Sequence, residues 1–148
     1  MSSLIFPPID DTYRSLGYAL KRAQQALRGH LDNELRNIGL TTPQYSVLAG
    51  LELSAGLSSA ELARRAFVTP QTMQSIIAIL ERAGLIKRMA HPANARVRTT
   101  ELTPAGRSIL RAAHEIVANA EVLTRNAVAP SDPQTIYSAL LRIAEAVR

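Results

Sequence analysis

The 148-residue sequence contains no cysteine, which excludes disulfides, thiol redox sensing and a soft metal site. No run approaches the roughly 18 to 20 apolar residues of a membrane span, and the N-terminus lacks a basic region followed by an apolar stretch. A cytoplasmic protein without a membrane partner is therefore expected. Enzyme signatures are missing too: there is no phosphate-cradling glycine loop, no nucleophile and base, and no paired acids in a pocket motif. His30, His91 and His114 show no metal-ligand spacing. Neither an enzyme nor a cofactor or resident metal is expected, and no repeat or low-complexity tract is evident.

What is present suffices for one domain with a real core, at 47% hydrophobic and 20% charged residues. Seventeen basic and 12 acidic residues give a net charge of +5, which suits a polyanionic partner. Residues 40–103 hold Arg64, Arg65, Arg82, Lys87, Arg88, Arg96 and Arg98 against Glu52, Glu61, Glu81 and Glu101, the larger part of that excess.

Residues 58–103 read as a winged helix-turn-helix. Ser58, with Glu61 three positions on, forms a capping box that opens a short helix through Ala66. Thr69 and Pro70 restart the chain as a second helix, a hydroxyl cap followed by a proline whose missing amide had no partner anyway. Met73, Ile76, Ile77 and Leu80 make its inward stripe, and Ala63 permits close crossing of the two helices. The opposite face, Gln71, Thr72, Gln74, Ser75 and Ala78, is uncharged, small and rich in amides, a composition suited to base edges in a major groove. Gly84 supplies a left-handed helix end. LIKRMA and RVRTTEL, joined by HPANA, then form a β-hairpin whose Lys87, Arg88, Arg96 and Arg98 can reach phosphates or a minor groove. His91 beside Pro92 reads as a turn residue.

The remainder is helical. MSSLIFPPI is an extended arm, because Pro7 and Pro8 forbid a helix there. A long helix is expected from Asp10 or Asp11 to Ile38, with apolar residues from Tyr13 to Ile38 at alternating spacings of three and four. Thr42 with Pro43, Thr103 with Pro104 and Asp132 with Pro133 start three further helices, the last two joined by a short connection that makes them antiparallel neighbours. Their apolar stripes, Ile109 to Leu123 and Ile136 to Val147, exceed what one small core can cover, so a homodimer is expected.

This order of elements, over nearly the whole chain and through LTTPQYSVLAGLELSAGLSSAELARRAFVTPQTMQSIIAILERAGLI, resembles the MarR family of bacterial transcriptional regulators. The resemblance implies a mainly α fold: a winged helix-turn-helix core with a two-stranded β-hairpin wing at 40–103, flanked by an arm and dimerisation helix at 1–39 and dimerisation helices at 104–148. It implies a repressor that binds double-stranded DNA at a pseudopalindromic operator and is released by a small, aromatic or phenolic ligand. Carried onto this sequence, it puts Gln71, Thr72, Gln74 and Ser75 in the major groove, assigns Arg96 the wing-tip role, and adds Ser58, Thr69, Pro70, Lys87, Arg88, Asn94 and Arg98 to the DNA contacts. Tyr13, Tyr18, His30 and Tyr45 are the implied ligand-lining residues. Asn94 stands where the family usually has an aspartate bracing that arginine, Ala95 where a second arginine is common, and Ala78 and Ile79 where basic residues are often found, so a looser wing and fewer phosphate contacts are expected. Phe67 fills a turn position often taken by glycine elsewhere, from which a turn without a left-handed residue is expected. A metal-responsive DNA-binding switch, with His114 and Glu115 on the relevant helix, and a winged-helix protein-interaction module without DNA binding are the alternatives.

Overall fold

A computed structural model describes residues 12–91 and 93–148, apart from the side chains of His91 and residues 95–98. A 3-10 turn at Thr12–Arg14 leads into α1 (Leu16–Arg36), followed by α2 (Thr42–Leu53), α3 (Ser59–Ala66), α4 (Pro70–Arg82), β1 (Ile86–His91), β2 (Asn94–Leu102), α5 (Pro104–Ala127) and α6 (Pro133–Ala146). This is the expected winged helix-turn-helix with flanking helices, with some element boundaries shifted.

The first helix begins later than its apolar stripe suggests. The Ser15 hydroxyl accepts the Tyr18 amide at 3.1 Å and caps α1 at Leu16, while the expected caps Asp10 and Asp11, like the arm, lie outside the described residues. α1 ends at Arg36 rather than Ile38. The second helix is capped by Thr41, not Thr42: the Thr41 hydroxyl accepts the Gln44 amide, and the Gln44 side chain returns to the Thr41 amide at 2.9 Å. The box expected at α3 is half made, with the Ser58 hydroxyl taking the Glu61 amide at 3.2 Å.

The core lies where α1, α2, α3, α4, α5 and the base of the wing converge. Leu35, Val47, Leu48, Leu62, Met73, Ile77, Leu80, Ile86 and Leu110 are its fully buried side chains. α4 closes with a Schellman motif: Gly84, at φ 73°, donates to the Glu81 carbonyl and Leu85 donates to that of Leu80. The chain then turns directly into β1. A second seam locks that turn to α5. The Thr103 amide donates to the Leu85 carbonyl at 3.1 Å, the Thr103 hydroxyl donates to the Gly84 carbonyl at 2.6 Å, and the same hydroxyl caps α5 by accepting the Gly106 amide at 3.0 Å. Gly106 is buried directly against Leu85, where a side chain has no room.

α6 departs from expectation. It does not lie packed along α5; the two helices instead border an open groove of about 350 Å³. Val122 and Leu123 of α5 and Tyr137, Leu140, Leu141 and Val147 beyond the connection are all exposed. Their apolar faces are directed at water in the single chain rather than at each other, an exposure that is unfavourable unless another surface covers them.

Candidate nucleic-acid interface and effector cavity

α3 and α4 are joined through Phe67, Val68 and Thr69, and the turn is held by the Val68 amide donating to the Ala63 carbonyl at 3.1 Å. Phe67 is left-handed, at φ 54° and ψ 41°, which corrects the expectation of a turn without such a residue. The tight reversal between two helices demands the conformation whether or not glycine is available, and an ordinary residue pays for it with about 1–2 kcal/mol. The ring has no compensating contact: Phe67 is 95% exposed.

α4 turns Met73, Ile76, Ile77 and Leu80 inward and leaves Gln71, Thr72, Gln74, Ser75, Ala78 and Ile79 exposed. Its cap organises the start of that outer face. The Thr69 oxygen accepts the Thr72 amide at 3.1 Å, and the Thr69 hydroxyl donates to the Thr72 hydroxyl oxygen at 2.9 Å, so Thr72 keeps its own hydrogen to offer outward. Ser58, Thr69 and Pro70 are exposed and sit at the two helix starts, where each also serves the backbone.

The wing is an antiparallel ladder pairing Ile86 with Leu102, Lys87 with Glu101, Arg88 with Thr100, Met89 with Thr99 and Ala90 with Arg98, with an irregularity before His91 meets Asn94. His91 is thus the last residue of β1 rather than a loop residue. Alternation separates the two basic residues of β1. Arg88 shares the face of Ile86, Thr100 and Leu102, all three buried, and is itself half-buried, its Nε without a hydrogen-bond partner among the described residues. Lys87 is on the outer face, 4.0 Å from Glu101 in an exposed pair that contributes little to stability. Asn94 is exposed at the tip. Arg96 and Arg98 lie on β2, with side chains outside the description.

On the other side of α3, a cavity of about 490 Å³ opens between α1, α2, the α3 end and α5. Leu27, Leu31, Ala49, Leu53 and Val117 give it apolar walls, Arg28 and Arg65 add cations, and Phe67 stands at its rim. Arg28 is paired with Asp32 at 3.5 Å, whereas Arg65 has no ion-pair partner among the described residues. Tyr45 also lines the cavity. Its hydroxyl lies 3.0 Å from Nδ1 of His114, whose Nε2 lies 2.7 Å from a Glu52 carboxylate oxygen. Burial, together with the Glu52 charge, raises the Tyr45 phenol above its ordinary value. Among the described residues no group of three or more His, Cys, Asp or Glu could hold a metal.

The MarR family model matches residues 38–96. The HTH-type transcriptional repressor Rv2887 of Mycobacterium tuberculosis is 43% identical over 112 residues, spanning 74% of this chain and 81% of that protein. The chain belongs to the MarR family. A crystal structure of that M. tuberculosis MarR family protein in complex with salicylic acid aligns with a TM-score of 0.69 at 36% identity, covering 90% of this chain and 96% of that one. The transcriptional repressor CouR bound to a 23-mer DNA duplex aligns with a TM-score of 0.81 at 28% identity, covering 94% and 99%.

In this MarR family chain the four side chains assigned to the major groove do form one exposed patch. Of the four aromatic and histidine candidates for the ligand, only Tyr45 reaches the cavity. Tyr13 and Tyr18 stack edge to face, 5.1 Å apart, at the start of α1, and His30 is exposed farther along that helix. Arg28, Arg65, His114 and Glu52 were not among the candidates. Helical periodicity marks Arg28 and Arg65 only as surface positions, and nothing local to either sequence stretch announces that they border one hollow.

Proposed function

We propose that this MarR family member is a homodimeric, cytoplasmic transcriptional repressor that binds a pseudopalindromic operator and releases it when a small aromatic anion enters the cavity beside Tyr45. The observation that carries the DNA reading is the exposed, uncharged polar face of α4 formed by Gln71, Thr72, Gln74 and Ser75, opposite the buried stripe of Met73, Ile76, Ile77 and Leu80. A solvated helix face ordinarily carries charge; this one carries hydrogen-bonding groups matched to base edges. Residues 40–103 act as the reading unit, with Lys87, Arg88, Arg96 and Arg98 on the wing serving phosphates or the flanking minor groove and Asn94 bracing the tip. Residues 1–39 and 104–148 pair the two chains and set the separation of their α4 helices to about one turn of DNA. The M. tuberculosis relative's complex with salicylic acid supports the ligand class, and the apolar walls with Arg28 and Arg65 suit such a molecule.

Selection of bound duplexes from a random pool, with and without salicylate, tests this reading. A two-fold symmetric consensus with half-sites roughly 10 base pairs apart is expected, depleted by salicylate. Gln74→Ala should cost about 1–3 kcal/mol on that consensus and little on random DNA. Arg96→Ala should lower the salt dependence by about one unit if it meets a phosphate. Equal losses of Gln74→Ala on both DNAs would show that α4 does not read bases.

A further inference from the structure

Tyr45 belongs to two features at once: it is a wall of the cavity and the first member of a chain of partners running through His114 to Glu52. That chain dictates where the hydrogens sit. A carboxylate offers only lone pairs, so His114 must carry hydrogen on Nε2 to meet Glu52 at 2.7 Å. A neutral imidazole has one N–H. With it on Nε2, Nδ1 is an acceptor, and the Tyr45 hydroxyl donates to it. Tyr45 then commits its single hydrogen to His114 and presents only oxygen lone pairs elsewhere, which an anionic ligand cannot use. A proton added at Nδ1 reverses the bond: the imidazolium N–H donates to the Tyr45 oxygen, and the phenolic hydrogen becomes available to an acceptor in the cavity.

We propose that the cavity takes up an anionic ligand together with one proton, held on His114 and presented through Tyr45, so that effector affinity depends on pH although a ligand carboxylate does not itself titrate there. This rests on the effector reading above and adds its regulation. The net charge of the site is unchanged on binding, because ligand and proton enter as a neutral pair, and the proton adds a donor on the Tyr45 side of the cavity to the cation that Arg65 supplies at the α3 end. Histidine is the side chain suited to such a role near neutral pH.

The charges around His114 are compatible with it. From α2 come Tyr45 and Glu52; Glu52 is in hydrogen-bond contact and is the counter-charge for an imidazolium. On α5 itself stand Arg111 and Glu115, neighbours along the helix. Glu101 of β2 shares a notch with Glu52, Arg107 and Arg111. From α1 the cavity is bordered by Arg28, already paired with Asp32. The raised Tyr45 phenol keeps its hydrogen at physiological pH and so acts as a neutral relay.

The test is calorimetric titration of the 148-residue chain with salicylate at pH 7.5, in buffers of different ionisation enthalpy, which counts protons taken up on binding. Uptake of roughly half a proton or more per site is expected, with affinity falling as pH rises. His114→Gln and, independently, Tyr45→Phe should bring uptake to zero and flatten the pH dependence while weakening binding at neutral pH about tenfold. Salicylate binding with no proton uptake, or uptake unchanged in both variants, overturns the proton coupling and leaves the effector reading standing. No salicylate binding at millimolar concentration, at any pH, overturns the effector reading and the coupling with it.

Discussion

Replacing Gly106 by alanine sets two opposing effects against each other, and the structure says which one wins. Alanine is the better helix former by up to about 1 kcal/mol, so propensity alone predicts a more stable protein. A Cβ at Gly106, however, would stand 2.0 Å from the Leu85 carbonyl oxygen and 3.0 Å from its carbonyl carbon. Carbon and oxygen need roughly 3.3 Å, so two backbones must separate by more than an ångström. The same carbonyl accepts the Thr103 amide, and the neighbouring Gly84 carbonyl accepts the Thr103 hydroxyl, so both bonds across the seam loosen together. Two hydrogen bonds at about 1 kcal/mol each and about 1–3 kcal/mol for overpacking outweigh the propensity gain. The net is a loss of about 2–4 kcal/mol, or roughly 5–15 °C in Tm for a chain of this size. Far-UV circular dichroism melts at one fixed chain concentration measure it, the concentration held constant because association contributes to apparent stability. Because Leu85 leads straight into β1, operator affinity should also fall at temperatures where the variant is fully folded. A Tm at or above the parent's would refute the reasoning.

Three further substitutions probe other parts of the argument. Phe67→Gly relieves a left-handed residue without removing any packing and should raise Tm by about 2–4 °C; a lower Tm in the same melt would show that the ring supports the fold. The Thr42 hydroxyl donates to Asp32 and, ahead of the Arg28 charge, holds that carboxyl below its ordinary 3.8. A depressed folded pKa contributes stability above the unfolded value and loses it as pH falls through the folded one, so the deficit of Thr42→Val should be present at pH 6 and shrink below about pH 4; a deficit that persists in acid would assign it to something other than this bond. Leu140→Glu combined with Leu141→Glu should give monomer by sedimentation equilibrium and abolish operator binding, and a dimer that survives both charges would remove α6 from the interface.

Much of the fold is written in short-range signals. Thr69 before Pro70, Thr103 before Pro104, Asp132 before Pro133 and Gly84 after α4 each act within a few residues, and each marks a helix boundary in the structure. The misplaced cap of α2 shows the resolution of that reading. Proline is tolerated in the first turn generally, so Thr41 and Thr42 compete, and the Gln44 side chain decides by closing on Thr41. Phe67 shows tertiary demand overriding local preference. The side-by-side packing expected of α5 and α6 fails because an apolar stripe says that a face will be covered but not by which chain. The surroundings of the cavity were the least legible part: Tyr45 meets a histidine 69 positions away, and that histidine meets a glutamate 62 positions back, pairings that no spacing rule anticipates.

The exposed ring of Phe67 can also be put to optical use. No tryptophan occurs in the chain, so Phe67→Trp would create a lone indole at the cavity rim, on a backbone that already holds an aromatic residue in the same conformation. With the native ring 95% exposed, its replacement would emit as a hydrated chromophore. Anything that settled over it would drive water away and shift the emission to the blue. Stopped-flow fluorescence on one labelled position could then time the arrival of a ligand and the departure of a duplex in the same sample.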